Sequence, residues 1–365
     1  MNIGVDAGSL CGSLTGIGVY LRGFLGQMAL LAPESTFYLY AARPLGVKFG
    51  QSNITVRTAN SRLPGTFWMQ LRGPRLALQD KLDCFWSPGH VLPLGLHSGI
   101  RSVLTVHDLV YPLYPQYVAR YNTLVLSCYF ARSVRRADAV ITVSRQTRQD
   151  LIRRFRVEPS KVTAVYRGVD EEFRPLKPKS VRARLEAIGI RGDYILAVGT
   201  LEPRKNYPLL FRALAGLPDC PPLMIAGGQG WKFREAIREL RRLGLGSRVS
   251  LLDYVSLDDL VALYNGALLL VQPSLYEGFG LPVLQAMACG TPVLASNTSS
   301  LPEVGGDAAA YFESNSVESL RAELVRLLAD PEARAAMAQK SLRRAKEFSW
   351  ERAAQATLRI LRDDA

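Results

Sequence analysis

Short apolar, β-branched runs alternate with longer segments of helical spacing along this chain, and near Pro175 the alternation breaks and begins again. Ile3–Asp6, Phe37–Tyr40, Ile54–Val56, Ser102–Val106, Ala139–Val143 and Val162–Val165 read as strands. Helical stretches such as Gly18–Leu31 and Gln146–Phe155 lie between them. The second set is Tyr194–Val198, Leu223–Ala226, Val249–Leu252, Leu268–Val271 and Pro292–Ala295, with helices at Tyr207–Leu214 and Phe233–Leu243. Strands alternating with helices pair in parallel through right-handed crossovers. Two such sets predict two doubly wound α/β domains, and a length of 365 residues accommodates two. The break falls at Phe173–Lys179, FRPLKPK, where two prolines interrupt the pattern. The expected domains are therefore 1–174 and 175–348. Asp330-Pro331-Glu332 reads as a helix start, and Ser349 caps a last helix, Trp350–Leu361.

Composition excludes several classes. Hydrophobic residues make up 48% and charged residues 21%, ordinary values for a globular protein. No apolar run reaches the roughly 18–20 residues of a spanning helix, and MNIGVDAGSL has no basic leader region. A soluble, cytoplasmic protein is expected. Cys11, Cys84, Cys128, Cys220 and Cys289 are odd in number and widely spaced, as free thiols are. With His90, His97 and His107 they form no metal-ligand pattern.

The net charge of +13 is uneven. Residues 1–175 hold 21 Lys/Arg against 11 Asp/Glu, and 120–156 alone holds nine Arg and two Asp. An anionic lipid surface, nucleic acid or a solvated face would each suit such a field. No helix-turn-helix, zinc finger or RNP-type aromatic pattern is present, which argues against nucleic acid.

In open α/β sheets, ligands bind beyond the carboxyl ends of strands. Four strand ends carry chemistry. Gly12-Ser13-Leu14-Thr15-Gly16-Ile17-Gly18 opens the first helix, where close backbone approach and an anion are favoured, although a plain tight turn fits as well. Thr105-Val106-His107-Asp108 ends a strand with a histidine that is either structural or aimed at a ligand. Gly199-Thr200-Leu201-Glu202-Pro203-Arg204-Lys205-Asn206 places two adjacent cations where they suit a diphosphate. Ser274–Pro282, SLYEGFGLP, sets Glu277 in a glycine-rich loop before a helix N-terminus, with amides and a carboxylate able to hold a hydroxylated ligand.

EGFGLPVLQAMACGTPVLAS resembles the signature of retaining glycosyltransferase family 4, enzymes of the GT-B fold with two Rossmann-like domains facing across a cleft. TGIGVYLRGFL, VLTVHDLVYPLYP, ADAVITVSRQTRQDL, VYRGVDEEFRPL and AVGTLEPRKNYPLLFRAL resemble further family elements in the family's order. FSWERAAQATL resembles the helix, 349–365 here, that crosses back to the N-terminal domain.

The resemblance implies that the C-terminal domain holds a nucleotide-sugar. Arg204 and Lys205 would take its diphosphate, and Glu277 the sugar hydroxyls. The amides of Gly278, Phe279, Gly280 and Leu281 would hold the sugar and a phosphate. His107 would lie against the sugar, with Gly16 and Gly18 near the phosphates and Tyr254 and Val255 flanking the base. Three positions depart from the pattern. Gln285 replaces the second acid, which in the family contacts the ribose, and could bond it through its carbonyl. Thr200 stands where many members have Arg, with Arg204 as the compensating donor. Arg167 replaces the linker Asn. No Asp-x-Asp occurs in the chain, which fits an enzyme that needs no metal, with cations and helix N-termini facing the departing diphosphate. Retention through same-face attack is implied.

The forms HDLVYPLYP and GTLEPRKN resemble mannosyltransferases of surface polysaccharide assembly, which makes GDP-mannose the expected donor. UDP-glucose or another UDP-hexose is the second choice, and a nucleotide-sugar epimerase of the same fold is the remaining alternative. The acceptor is expected to be a lipid-linked or polysaccharide glycan in surface glycan and lipopolysaccharide synthesis. RLPGTFWMQLRGPR, Arg62–Arg75, interleaves cations with Phe67, Trp68 and Met69, a composition suited to peripheral contact with the inner face of the cytoplasmic membrane.

Overall fold

The computed structural model describes residues 1–12, 16–114, 116 and 129–364. Ser13, Leu14 and Thr15 of the first glycine loop lie outside the described residues, as do Arg120 and Cys128. The chain divides into two compact units, one of which takes in the segment from Phe348 while the other runs Val169–Glu347. The junction thus precedes the proline-rich segment at which the sequence places it. Phe173 packs on Tyr264 with ring centroids 5.9 Å apart, and Asn265 bonds the backbone of both Arg174 and Leu176, so this stretch is held by the second unit.

The first unit is a seven-stranded sheet. Its strands are β1 (Asn2–Asp6), β2 (Thr36–Ala41), β3 (Ile54–Thr58), β4 (Cys84–Ser87), β5 (Arg101–Val106), β6 (Ala139–Thr142) and β7 (Val162–Ala164). The order is β3-β2-β1-β4-β5-β6-β7, and every pairing is parallel. Strands β4, β5 and β6 are almost wholly buried, as expected of strands covered on both faces, whereas β3 is the exposed edge. Helices α1 (Gly16–Leu31), α2 (Gly65–Gln79) and α3 (Arg145–Phe155) follow β1, β3 and β6. Tyr20, Phe24, Phe37, Phe85 and Trp86 fill the core, and Trp86 donates its indole N–H to Thr105 Oγ1 at 2.9 Å.

The C-terminal helix, Trp350–Arg362, belongs to this unit and packs on α1. Ser349 Oγ caps it by accepting from the Arg352 amide. Trp350 meets Phe24 edge-on at 5.3 Å, and a Cβ at Gly168 would fall 2.3 Å from the Trp350 nitrogen, so only glycine fits there.

The second unit is a six-stranded parallel sheet. Its strands are β8 (Ile195–Val198), β9 (Leu223–Ala226), β10 (Val249–Leu251), β11 (Leu269–Gln272), β12 (Val293–Ser296) and β13 (Ala310–Phe312), in the order β10-β9-β8-β11-β12-β13. Helices α4 (Tyr207–Ala215), α5 (Leu257–Gly266) and α6 (Leu281–Cys289) are the ones that frame its site. Asp330 caps the later helix Pro331–Ala345 through the Ala333 amide at 2.8 Å. In both sheets the strand order reverses direction next to the first strand, between β1 and β4 and between β8 and β11. Both units are therefore doubly wound sheets of the Rossmann type, and these reversals are where such sheets open a crevice. No described helix is long and apolar enough to cross a membrane.

Two strands, β4 and β13, are absent from the sequence reading. Cys84–Ser87 holds no β-branched residue, and Ala310–Phe312 spans three residues beside an alanine run. Helix α2 is also unread, because Gly73 and Pro74 sit inside it. The basic stretch 120–156 is partly structural. Arg148 donates to the carbonyls of Val162 and Pro159, and Arg136 donates to those of Leu94 and Leu96.

Candidate active site

The reversal in the second sheet gathers the charged residues. The loop after β8 makes a 3₁₀ turn at Pro203–Lys205, and Gln272 at the end of β11, with Ser274 and Glu277 in the loop after it, comes toward that turn. Leu275 N donates to Arg204 O at 2.7 Å and ties the two loops together. Gly199, at φ +142°, gives the first loop its direction. A Cβ there would fall 2.9 Å from Lys205 Cε, so the bare backbone leaves room for the lysine stem.

Glu277 is the centre of the cluster and is buried. Its Oε1 accepts from Lys205 Nζ at 2.6 Å, Ser274 Oγ at 2.7 Å and Gln272 Nε2 at 3.0 Å. Its Oε2 accepts from Arg204 Nη1 at 2.8 Å. The backbone is fixed as well, because Ser299 Oγ accepts from Glu277 N while Ser300 Oγ donates to Glu277 O at 2.9 Å. Arg204 is held on a second side by Glu202, whose Oε1 lies 2.6 Å from its Nε.

Burial opposes the charge on Glu277 and is the largest single effect. The Lys205 and Arg204 charges, with hydrogen bonds from Lys205 and Ser274, outweigh it and hold the carboxyl down at about 2. Burial also lowers Lys205 from the usual lysine value, and the Glu277 charge opposes that shift. An ionised carboxylate accepts hydrogen bonds only. Oε1 is crowded by three donors while Oε2 accepts from Arg204, so Oε2 is the oxygen best placed to take a donor from a ligand.

Gly278, Phe279 and Gly280 continue from Glu277 into α6, whose N-cap, Gly280, is left-handed and offers no side chain. At the start of this helix the Leu281 amide has no intrahelical acceptor and favours an anion, while Pro282 has no N–H and the Val283 amide donates to Gly280 O at 3.0 Å. Gln285 lies one turn further in and is buried. Its Oε1 accepts from Tyr264 Oη at 3.0 Å, which engages the carbonyl that the sequence reading offers to a ribose. Thr200 sits just past β8, with its methyl against Gly230. Tyr254 follows β10 and is 84% exposed, with its ring against Gly228, and Val255 beside it is half-buried.

His107, Gly16 and Gly18 belong to the first unit. His107 directly follows β5, and its Nε2 lies 2.6 Å from Pro88 O. A carbonyl only accepts, so Nε2 carries the proton and Nδ1 is left as an acceptor. Burial, and then the neighbouring His90, push its pKa down to about 3. Gly16 opens α1, and Gly18 is buried on it. Asp6, at the end of β1, accepts from the Gly8 amide at 3.0 Å, and burial raises its carboxyl to about 6. Among the described residues, no three His, Cys, Asp or Glu side chains converge as metal ligands.

The sequence reading misses Gln272, Ser274, Ser299, Ser300 and Glu202. For three of them the signal is short-range spacing: Gln272 and Ser274 stand five and three residues before Glu277, and Glu202 two before Arg204, whereas Ser299 and Ser300 come from beyond β12.

Residues 186–344 match the model of glycosyl transferases group 1, and residues 25–173 match that of glycosyltransferase family 4. The chain is 34% identical over 281 residues to O-antigen chain mannosyltransferase B of Escherichia coli, covering 75% of this chain and 73% of that one. The chain belongs to glycosyltransferase family 4. A second relative, the serotype-specific mannosyltransferase WbdA of Escherichia coli, is 30% identical over 260 residues, 68% of this chain and 32% of that longer one. The fold also matches sucrose-phosphate synthase from Thermosynechococcus elongatus, with a TM-score of 0.80 at 20% identity over 99% of this chain and 98% of that one. The Glu277 cluster thus sits in the part of a family 4 glycosyltransferase that the group 1 model covers.

Proposed function

We infer that this glycosyltransferase moves a mannosyl group from GDP-mannose, with retention of configuration, to a lipid-linked or polysaccharide acceptor in surface glycan synthesis. The observation that carries the reading is the Glu277–Arg204–Lys205 cluster at the β8/β11 reversal, in a chain whose relatives include a mannosyltransferase over about three-quarters of both lengths. Glu277 Oε2 would accept hydrogen bonds from sugar hydroxyls. The amides of Gly278–Leu281 leading into α6, with Arg204 and Lys205, would face the sugar and the diphosphate. In the step itself, the acceptor oxygen bonds to the anomeric carbon on the face that the diphosphate leaves. The C–O bond to the diphosphate breaks, its electron pair stays on the phosphate oxygen, and that oxygen takes the acceptor's proton. Donors fixed around a growing negative charge lower such a barrier because they need not reorient. The enzyme would work without a metal at the inner face of the cytoplasmic membrane.

A thermal-shift series with GDP, UDP, GDP-mannose and UDP-glucose, without added metal, tests the donor, since a ligand that binds only the folded chain raises its melting temperature. Stabilisation by the guanine pair alone is expected. Stabilisation by the uracil pair alone would overturn the donor and leave the transferase chemistry standing. The anomeric configuration of the product, read by NMR, tests retention.

A further inference from the structure

We propose that α2 and the edge strand β3 form a docking face for an anionic lipid bilayer. The inference rests on a membrane-bound acceptor for its purpose and on the following observations for its place. Between Glu34 and Asp80 the chain has no acidic residue, yet it carries Arg43, Lys48, Arg57, Arg62, Arg72 and Arg75. This stretch supplies β2, β3 and α2. Trp68, Met69, Gly73 and Ala77 bury one side of α2. The opposite side is apolar rather than polar. Phe67, Leu71 and Leu78, spaced four and seven residues apart, are 40%, 64% and 57% exposed, and Leu63 just ahead of the helix is 46% exposed. That spacing puts them in one stripe. Arg75 falls in the same stripe and Arg72 beside it. Among the described residues, Arg62, Arg72 and Arg75 have no acidic partner. Asp80, the next acid along the chain, is engaged by Arg57 Nη2 at 3.0 Å and by the Tyr40 hydroxyl at 2.9 Å.

A groove of about 520 Å³ runs alongside, lined by Leu63, Trp68, Leu71 and Leu76 together with Arg57 and Arg72. It begins at Arg57 and Thr58, the carboxyl end of β3, and so opens at the end of the sheet where His107 follows β5. A helix with exposed leucines and a phenylalanine flanked by unpaired arginines suits insertion of the apolar stripe at the headgroup boundary, with the guanidinium groups on lipid phosphates. A second copy of the chain suits it less well, because a two-fold contact through this face would set arginine against arginine.

The test is flotation of the full chain, without donor or acceptor, on vesicles of phosphatidylcholine alone or mixed with phosphatidylglycerol. Binding is expected only with phosphatidylglycerol and is expected to fall with salt. Each arginine at an anionic surface strengthens binding by roughly fivefold, so Arg62→Ser/Arg72→Ser/Arg75→Ser should lower partition by on the order of a hundredfold. Leu71→Asp/Leu78→Asp should also lower it strongly. Both variants change exposed side chains, and each is first shown to melt as the parent does. Equal binding to both vesicle types, or variants that partition like the parent, would overturn the proposal. So would conversion of a dimer to monomers by Leu71→Asp/Leu78→Asp with vesicle binding unchanged, which would give the face to a second copy. Transfer to a soluble glycan is read separately. Its absence beside intact vesicle binding would count against the transferase reading and not against this face.

Discussion

Lys205 Nζ lies 2.6 Å from Glu277 Oε1, and both side chains are buried. A buried pair of this kind is costly to halve, because the group left behind has neither water nor a counter-charge. Glu277→Gln leaves Lys205 without its charge partner, and a loss of about 3–5 kcal/mol in unfolding free energy is expected. Glu277→Gln/Lys205→Met should recover part of that loss while turnover stays down by roughly a hundredfold or more. Denaturant titration of the four chains of this cycle measures the first effect and initial rates measure the second. Equal stability of the parent and Glu277→Gln would show that the pair contributes nothing to the fold.

The same pair sets a pH dependence. Glu277 has its carboxyl at about 2 in the folded chain against an ordinary 4.5. A carboxyl lowered by folding stabilises at pH above its unfolded value, and that contribution fades as pH falls through the folded value. About 3 kcal/mol is therefore present above pH ~5 and lost between pH ~4.5 and ~2. Melting temperature followed down this range should fall more steeply for the parent than for Glu277→Gln. Parallel curves would remove Glu277 from the account.

The strand rhythm was enough to read the doubly wound sheets, because parallel strands covered on both faces are continuous apolar runs that need no partner to be recognised. β4 escaped because its burial comes from Phe85 and Trp86 on a strand of four residues, and short aromatic runs do not announce a period. At the site, Arg204, Lys205 and Glu277 were legible as charges beside glycines at strand ends. Their convergence on one carboxylate was not legible, since it depends on β8 and β11 being neighbours, a long-range fact of strand order. Gln272 and Ser274 reach Glu277 from five and three residues away and were hidden for a different reason, since neither carries a charge to mark it. Gln285 could be placed by motif, but the Tyr264 hydroxyl that engages its carbonyl comes from α5, on a separate helix.

Gln285 gives a further test. Its Oε1 already accepts from Tyr264. Gln285→Glu would supply a charged acceptor with lone pairs to spare, and hydrogen bonds to charged groups are roughly twice as strong as neutral ones. A gain of about 1 kcal/mol, or roughly fivefold in donor-nucleotide affinity, is expected. Calorimetric titration of both chains with the nucleotide checks it. Weaker binding by the glutamate would mean that the amide, as a donor, is what the ligand uses.

His107 should remain neutral across the working range. Burial and the adjacent His90 hold it near 3, and Nε2–H is committed to Pro88 O. No inflection near pH 6.5 is expected in its ring proton shifts, nor in turnover through this residue. A shift of its Cε1 proton between pH 5.5 and 7.5 would contradict the neutral, Nε2-protonated ring.

Arg167 places its guanidinium 5.0 Å from the centre of the Trp350 ring, and Gly168 presses its bare backbone against the same residue. Trp350 is thus one residue by which the C-terminal helix touches both α1, at Phe24, and the end of the segment after β7. Trp350→Ala removes the ring from all three neighbours at once. Because the ring is half-buried, a loss of about 2–3 kcal/mol is expected, below that of a fully buried tryptophan. Gly168→Ala should cost at least as much by a different route, since its new methyl meets backbone rather than a movable side-chain tip. Arg167→Asn, the residue usual in the family linker, loses the cation–π contact and the hydrogen bond from Nε to Gly168 O, and should cost about 1–2 kcal/mol. Chemical denaturation of the three variants ranks them. Arg167→Asn costing as much as Trp350→Ala would mean that the guanidinium, not the ring packing, holds the helix in place.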